Sequence, residues 1–239
     1  MAITPENERE MMRIDERDSV EAEHAAILAA LLLAQMDALL PARATDAEIQ
    51  AAAGRVSSTA DDIEAALVAL LLASVAIGID AGSAQIGAVG LAVDEAAATD
   101  DAQQGGRDRA RVALAAILAT TERGIMSAVS EWIAQTGRDV EALRDELSYL
   151  FSRARAENIA QTEGAFGFNR GVMAVATSVG ATQMRWYTMQ DERVCPICRP
   201  MHGKRRDMTG SYPGGAAPPP AHPRCRCGEE IVIRGIGNG

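Results

Sequence analysis

Two stretches of the sequence decide the C-terminal fold: Cys195-Pro196-Ile197-Cys198 and His222-Pro223-Arg224-Cys225-Arg226-Cys227. Together they hold all four cysteines of the 239-residue chain. A structural Zn²⁺ ion takes four nitrogen or sulfur donors in a tetrahedron, at about 2.0–2.3 Å. A Cys-x-x-Cys turn presents two sulfurs to one point, and a second pair brought back by the chain completes the set. We therefore predict a structural Zn²⁺ site whose ligands are Cys195, Cys198, Cys225 and Cys227, with His222 as the substitute for Cys227.

Other uses of these cysteines stay open at this point. Two disulfides would staple the same segment, although disulfides belong mainly to oxidising compartments and the N-terminal sequence has no secretory signal. A redox-active Cys-x-x-Cys follows a strand and opens a helix, and the sequence offers no such context. The 26 residues between Cys198 and Cys225 exceed the usual zinc-ribbon spacing. His202 is a weaker ligand candidate, and we expect it in a surface loop.

The residues around the cysteines form a longer ordered pattern. It runs Trp186-Tyr187-Thr188, Asp191, Arg193-Val194-Cys195-Pro196, Cys198 and Gly203, and ends Pro219-Pro220-Ala221-His222-Pro223 before the last cysteines. Upstream lie Ile159-Ala160-Gln161-Thr162-Glu163, Asn169-Arg170-Gly171 and Gly180. Over about residues 150–232 this pattern closely resembles the C-terminal domain of the Mu F-like phage minor head proteins, the phage head morphogenesis family. His202 and Gln161 depart from it, because the family has a small polar or acidic residue and an arginine there.

The resemblance implies a structural minor head (capsid) protein of a tailed bacteriophage and not an enzyme. Such a protein lies in the head interior or at the portal vertex of the virion, and in the host cytoplasm during assembly. It is needed for head assembly or for DNA packaging and delivery. The implied partners are the phage portal protein, the major capsid protein, packaged DNA and further copies of the chain. Some relatives carry a toxin domain after the cysteines, and the short remainder after Cys227 leads us to expect none here.

Charge divides the chain into two parts. Residues 1–150 hold 11 Lys/Arg and 26 Asp/Glu, whereas residues 151–239 hold 12 and 7. An acidic surface is a poor electrostatic match for DNA, whereas the basic part suits either DNA or an acidic protein. Lys204-Arg205-Arg206 is interpreted as a solvated loop, with a DNA contact as the alternative. We predict an acidic, Ala-rich helical region over residues 1–150 and a Mu F-like C-terminal domain with the zinc site over residues 151–239.

The predicted fold class is mainly α, with long Ala-rich helices followed by a small α+β C-terminal module that carries the Cys/His knuckle. Helices are expected over residues 6–40, from Thr45 onwards behind a Thr45/Glu48 capping box, and over residues 107–135, 139–151 and 153–179. A polar linker is expected over residues 94–106. Strands over residues 184–188 and 230–234 are expected to pair antiparallel beside the metal.

The apolar stretch over residues 65–93 predicts a buried helix or helical hairpin. It contains one charged residue, Asp80, and its small residues allow helices to approach closely. Its longest strongly apolar piece, residues 66–79, is shorter than the ~20 residues of a membrane span. We therefore do not expect a membrane partner.

Catalytic patterns are sparse in the sequence. No nucleophile elbow, phosphate loop or dinucleotide fingerprint occurs. Glu163 has the chemistry of a general base, but we predict that it pairs with Arg155 or Arg170. His24 is expected on a helix surface. Asp191 either orients a metal ligand or is an ordinary turn residue. A metal-dependent or toxin-related enzyme and a DNA-binding zinc module are the alternative functions.

Overall fold

Helices make up most of residues 12–233, the part of the chain that the structure, a computed structural model, describes. Six α-helices lie in this part: α1 (Ile14–Leu39), α2 (Asp46–Ala51), α3 (Ala60–Gly87), α4 (Glu95–Ala134), α5 (Val140–Leu147) and α6 (Arg153–Ser178). Three strands follow: β1 (Gln183–Tyr187), β2 (Arg205–Asp207) and β3 (Gly228–Val232). The predicted fold class, mainly helical with a small C-terminal sheet, is confirmed. The start of the predicted first helix, residues 6–11, and the end of the predicted last strand, Arg234, lie outside the described residues.

Side-chain caps set the start of four helices. Thr45 and Glu48 form the predicted capping box of α2. The side chains of Asp94, Asp139 and Ser152 accept hydrogen bonds from backbone N–H groups in the first turns of α4, α5 and α6. These oxygens satisfy N–H groups that have no partner inside the helix. The sequence therefore specifies these boundaries locally.

The predicted linker over residues 94–106 is wrong, because these residues form the first turns of α4. Asp94 caps the helix, and the two glycines taken as a linker end lie against neighbouring helices. An added Cβ at Gly105 would lie 2.5 Å from Arg170 Nε, and one at Gly106 would lie 3.6 Å from Leu72. Tertiary packing thus overrides the weak helix propensity of two adjacent glycines.

Helix α3 is one continuous, centrally buried helix that crosses α6 closely. Glycines on both helices make the crossing possible: a Cβ at Gly78 would collide with the carbonyl oxygen of Phe168, and one at Gly171 with that of Val75. A Cβ at Gly167 would lie 2.8 Å from the Leu71 carbonyl oxygen. The predicted close approach through small residues is therefore present, and its partner is α6.

Helix α6 shares its core with the helices that precede it. One buried cluster joins Leu28, Leu67 and Ala110 to Ala156 and Ala160. A second joins the end of α3 and Phe168 to residues of the sheet. The predicted domain boundary at residue 150 stays a prediction. Both of these buried clusters contain residues from either side of it.

The sheet is three-stranded in the order β2-β1-β3. The predicted antiparallel pair of β1 and β3 is present, with Gln183 opposite Val232 and Tyr187 opposite Gly228. Strand β2 was not predicted, and it contradicts the solvated-loop interpretation at Arg206, whereas Lys204 and Arg205 are exposed as expected. Arg206 is buried there and pairs with Glu229 through Nε and Oε1 at 2.7 Å.

Three helical stretches are long and apolar enough to cross a membrane, judged by length and composition alone: Ile14–Leu39, Ala53–Gly87 and Glu95–Ala134. In the structure they pack on one another and on α6. The expectation of no membrane partner stays a prediction.

Candidate metal centre

The register of the sheet brings the two cysteine stretches together. The first follows the end of β1, and Cys227 immediately precedes β3. Because Tyr187 pairs with Gly228, the end of β1 and the start of β3 lie side by side. Both cysteine stretches are therefore at the same end of the sheet, where Trp186 and Tyr212 pack beside them with ring centroids 4.9 Å apart.

The first stretch folds into a tight turn around the Cys195 sulfur. The backbone N–H of Cys198 donates to Cys195 Sγ at 3.3 Å, and the N–H of Arg199 donates to the Cys195 carbonyl at 3.0 Å. Partial burial raises the pKa of Cys195, but the donated N–H groups and nearby His222 outweigh it, so the pKa of this thiol is lowered. The turn thus favours the thiolate, which is the form that binds a metal.

Five donor atoms converge at this end of the sheet. Within each of two trios, Cys195/Cys198/His222 and Cys198/Cys225/Cys227, the donor atoms lie within 4.8 Å of one another. His222 Nε2 is 3.2 Å from the sulfurs of both Cys195 and Cys198, and the Cys198 and Cys225 sulfurs are 3.9 Å apart. All four cysteines are free thiols. Tetrahedral zinc separates its donors by about 3.5–3.8 Å, so this donor set fits the ion with small adjustments.

His222 is held in the tautomer that a metal ligand needs. Its Nδ1 lies 2.8 Å from the Pro223 carbonyl oxygen, to which an Nδ1–H group donates. This bond, the largest cause, raises the pKa of His222, and it leaves the lone pair of Nε2 facing the sulfurs. A hydrogen bond from the second ring nitrogen to a carbonyl commonly orients metal-bound histidines.

The last two cysteines differ in their electrostatics. A hydrogen bond from the Cys227 thiol, the largest cause, lowers the pKa of Cys225 to about 5, whereas the same bond and burial raise the pKa of Cys227. Burial and the neighbouring Cys225 charge raise the pKa of Cys198 to about 12. Cys225 is thus prepared as a thiolate, and Cys227 is a buried thiol beside it.

Helix α6 and the turn after β1 anchor the second cysteine stretch. Thr162 Oγ1 accepts from the Arg224 N–H at 3.0 Å, and Asn169 Nδ2 donates to the Cys227 carbonyl at 3.2 Å. Arg226 donates to Asp191 Oδ2 at 2.6 Å, while Asp191 Oδ1 accepts from the Arg193 N–H at 3.1 Å. Asp191 therefore accepts a backbone hydrogen bond in the turn after β1 and pairs with Arg226, and its role in orienting a metal ligand stays a prediction.

Three other predicted residues lie outside the donor cluster. His202 is exposed, and its Nδ1 accepts from the Thr188 N–H at 3.2 Å. His24 is buried, with Nδ1 3.0 Å from the Val20 carbonyl, so its predicted surface position is wrong. Glu163 pairs with Arg109 through two bonds of 2.6 and 2.7 Å, and neither predicted arginine is its partner.

Residues of α1 also reach this region, and sequence reasoning missed them. Arg17 and Asp18 approach the second cysteine stretch from a helix about 200 positions away in sequence. No local signal marks them, because isolated charges in an acidic helix are ordinary. Thr162 and Asn169 did carry a signal, since both belong to the ordered pattern around the cysteines.

The fold and the site together define a class: a helical protein whose C-terminal sheet holds a Cys/His cluster able to bind a metal ion. The family described as Phage Mu protein F like protein matches residues 116–229, a stretch that contains every cluster residue. This match confirms the resemblance over these residues and indicates a phage head protein associated with the virion. The comparisons with curated proteins and with solved structures found no match.

Proposed function

We propose that the chain is a structural minor head protein that associates with the portal vertex and serves head assembly or DNA packaging and delivery. The observation that carries the proposal is the family match over residues 116–229, which includes the whole donor cluster. The cluster's role would be structural: it ties the turn after β1 to the stretch before β3.

We propose Zn²⁺ as the ion, held by Cys195, Cys198, His222 and Cys225. The short contacts of His222 Nε2 to two sulfurs support this set, with Cys227 as a hydrogen-bond donor to the Cys225 sulfur. A structural ion contributes folding free energy directly, because its site does not exist in the unfolded chain. A small module with few large apolar side chains gains most from such a tie.

Elemental analysis combined with thiol counting tests the metal. We expect about one zinc per chain and four titratable thiols after denaturation in chelator. His222→Asn and Cys227→Ser form a matched pair: the first should lose zinc on dialysis, and the second should retain it. Zinc loss in Cys227→Ser with retention in His222→Asn would assign the fourth position to Cys227. If the protein contained neither zinc nor free thiols, the cysteines would form disulfides and the metal site would be wrong.

A structural role is favoured over the enzymatic alternative. The four proposed ligands already fill a tetrahedron, whereas a catalytic zinc keeps one position for water. Glu163 is held by Arg109 in a bidentate pair, so both of its carboxylate oxygens already accept hydrogen bonds. Replacement of zinc by Co²⁺ tests this point. A visible spectrum that does not change on addition of cyanide or azide supports a closed site, and a shift would indicate an exchangeable position.

Most of the C-terminal arginines considered for DNA binding are engaged with other protein groups, which weakens the DNA-binding alternative. Arg206 and Arg226 are engaged in ion pairs, and Arg224 donates to Gln161. The exposed cations Lys204 and Arg205 remain available for phosphate contacts. Binding of duplex DNA to the full chain should therefore be weak and non-specific. Tight binding with a steep salt dependence would favour the DNA-binding function.

Portal protein is the proposed partner, with the major capsid protein and packaged DNA as further candidates and several copies per particle. Co-expression of the chain with the portal protein of the same phage, followed by affinity purification, tests the association. The portal protein of an unrelated phage is the control. Equal recovery of both, or of neither, would contradict the portal assignment without touching the metal site.

A further inference from the structure

A buried arginine of α1, next to the residue that pairs with Arg226 of the second cysteine stretch, has unused hydrogen-bonding groups. The Arg17 side chain is 3% exposed, and within residues 12–233 neither Nε nor Nη1 has a hydrogen-bond partner. Its guanidinium stacks on Phe168 at 4.2 Å, and Nη2 is 3.9 Å from Glu21 Oε1, too far for a hydrogen bond. A charged donor left unsatisfied in a core is costly, so its retention needs a cause.

The surroundings of Arg17 point toward the second cysteine stretch. The Phe168 ring also lies against Gly228, the residue after Cys227, since a Cβ at Gly228 would be 3.2 Å from that ring. Asp18, the next residue in α1, lies 3.7 Å from Nη2 of Arg226, which stands between Cys225 and Cys227. One turn of α1 is therefore packed against the stretch that would carry two ligands.

The negative charge of a cluster with Zn²⁺ bound would explain why a buried arginine with unsatisfied donors is retained here. Three thiolates and a neutral histidine around Zn²⁺ carry a net charge of −1, and four thiolates would carry −2. Because Cys198 and Cys225 are buried, such a charge needs positive groups nearby. Asp191 and Asp18 already pair with Arg226, whereas among the described residues Arg17 has only Glu21 nearby, at 3.9 Å and without a hydrogen bond.

We propose that Arg17 is the counter-charge of the metal–thiolate cluster, and that the Asp18–Arg226 pair holds α1 against it. This inference rests on the proposed Zn²⁺ site. Zinc binding and packing of α1 would then stabilise each other, because Arg17 gives the cluster a positive charge and the cluster gives Arg17 negatively charged acceptors. Thiolate sulfurs of the loaded cluster would then be the acceptors available to the unused N–H groups.

The electrostatics of the neighbouring carboxylate agree with this role. Burial raises the pKa of Glu21 to about 7, so near neutral pH this group is a weak partner for Arg17. Burial lowers the pKa of Arg17, while Glu21, Asp18 and, more weakly, Cys225 act in the opposite direction.

Competition of the full-length chain with a zinc chelator of known affinity tests the inference. Arg17→Met keeps the length of the side chain and removes the charge, and Arg13→Met changes an arginine near the start of the same helix whose side chain is 38% exposed. We expect Arg17→Met to weaken Zn²⁺ binding by about 10–100-fold, the range for outer-shell partners of metal sites. Arg13→Met should leave the affinity unchanged.

Thermal unfolding with and without zinc separates this role from a merely structural one. If Arg17 only packs on Phe168, Arg17→Met lowers the melting temperature equally in both states and leaves zinc affinity intact, which overturns the inference. If Arg17→Met does not fold, Asp18→Asn decides instead: we expect a several-fold loss of affinity, and an unchanged affinity overturns the proposal. Wild-type chain that binds no zinc would overturn the proposed site itself, whereas normal wild-type binding with unaffected variants overturns this inference alone.

Discussion

Gly78→Ala is the sharpest test of the helical core. A Cβ at Gly78 would lie within contact distance of the Phe168 carbonyl oxygen and carbon and 3.1 Å from Gly171 Cα. All three atoms are backbone, so no side-chain rotation relieves the clash and α3 must move away from α6. Overpacking of this kind costs about 1–3 kcal/mol, and Ala returns about 1 kcal/mol of helix propensity. Since backbone must move, we take the upper end and expect a net loss of about 2 kcal/mol.

Urea denaturation followed by far-UV circular dichroism measures this loss. Gly87→Ala is the matched control, because Gly87 lies in the same helix and a Cβ there meets none of the described residues within 4 Å. It should leave stability unchanged or raise it by up to about 1 kcal/mol. For a chain of this size, the loss in Gly78→Ala corresponds to a melting temperature lower by about 4–8 °C.

The result that refutes the reasoning is a Gly78→Ala protein at least as stable as the wild type. It would mean that α3 and α6 do not cross at the described distance. A loss of equal size in Gly87→Ala would instead mean that the effect comes from glycine replacement in general and not from the crossing.

Two further changes test buried charges. The pKa of Glu21 is raised from 4.5 to about 7 by burial, so its contribution to stability is full below about pH 4.5 and is lost as the pH rises through 7. In metal-free protein, unfolding free energies at about pH 5 and about pH 8 should differ by up to about 3 kcal/mol more in the wild type than in Glu21→Gln; an identical pH profile would contradict this. Arg206→Met leaves the buried Glu229 carboxylate without its cation and should cost about 3–5 kcal/mol in urea denaturation, which Arg206→Met/Glu229→Met should largely restore. A double variant as unstable as the single one would show that the loss is not due to the unpaired charge.

Much of the local structure could be predicted from particular residues. Thr45 and Glu48 announce a capping box, and Pro41 follows the end of α1, because capping and proline geometry act over a few positions. The strands flanking the cysteines were predicted as an antiparallel pair because two stretches with a common ligand must run back to the same point. The errors lie where packing decides: Gly105 and Gly106 resemble a linker in sequence and are helical in the structure.

The sequence by itself determined which donors are available for a metal, where several helices begin, and which family the residues around the cysteines resemble. Those features depend on residue types at short spacing, so neighbouring positions in the sequence are enough to predict them. Only the tertiary structure decided that Arg109 is the partner of Glu163, that Arg206 is buried, and that Arg17 is buried against Phe168. A charged residue in a helix carries no local record of its partner, because the pairing depends on how helices distant in sequence cross.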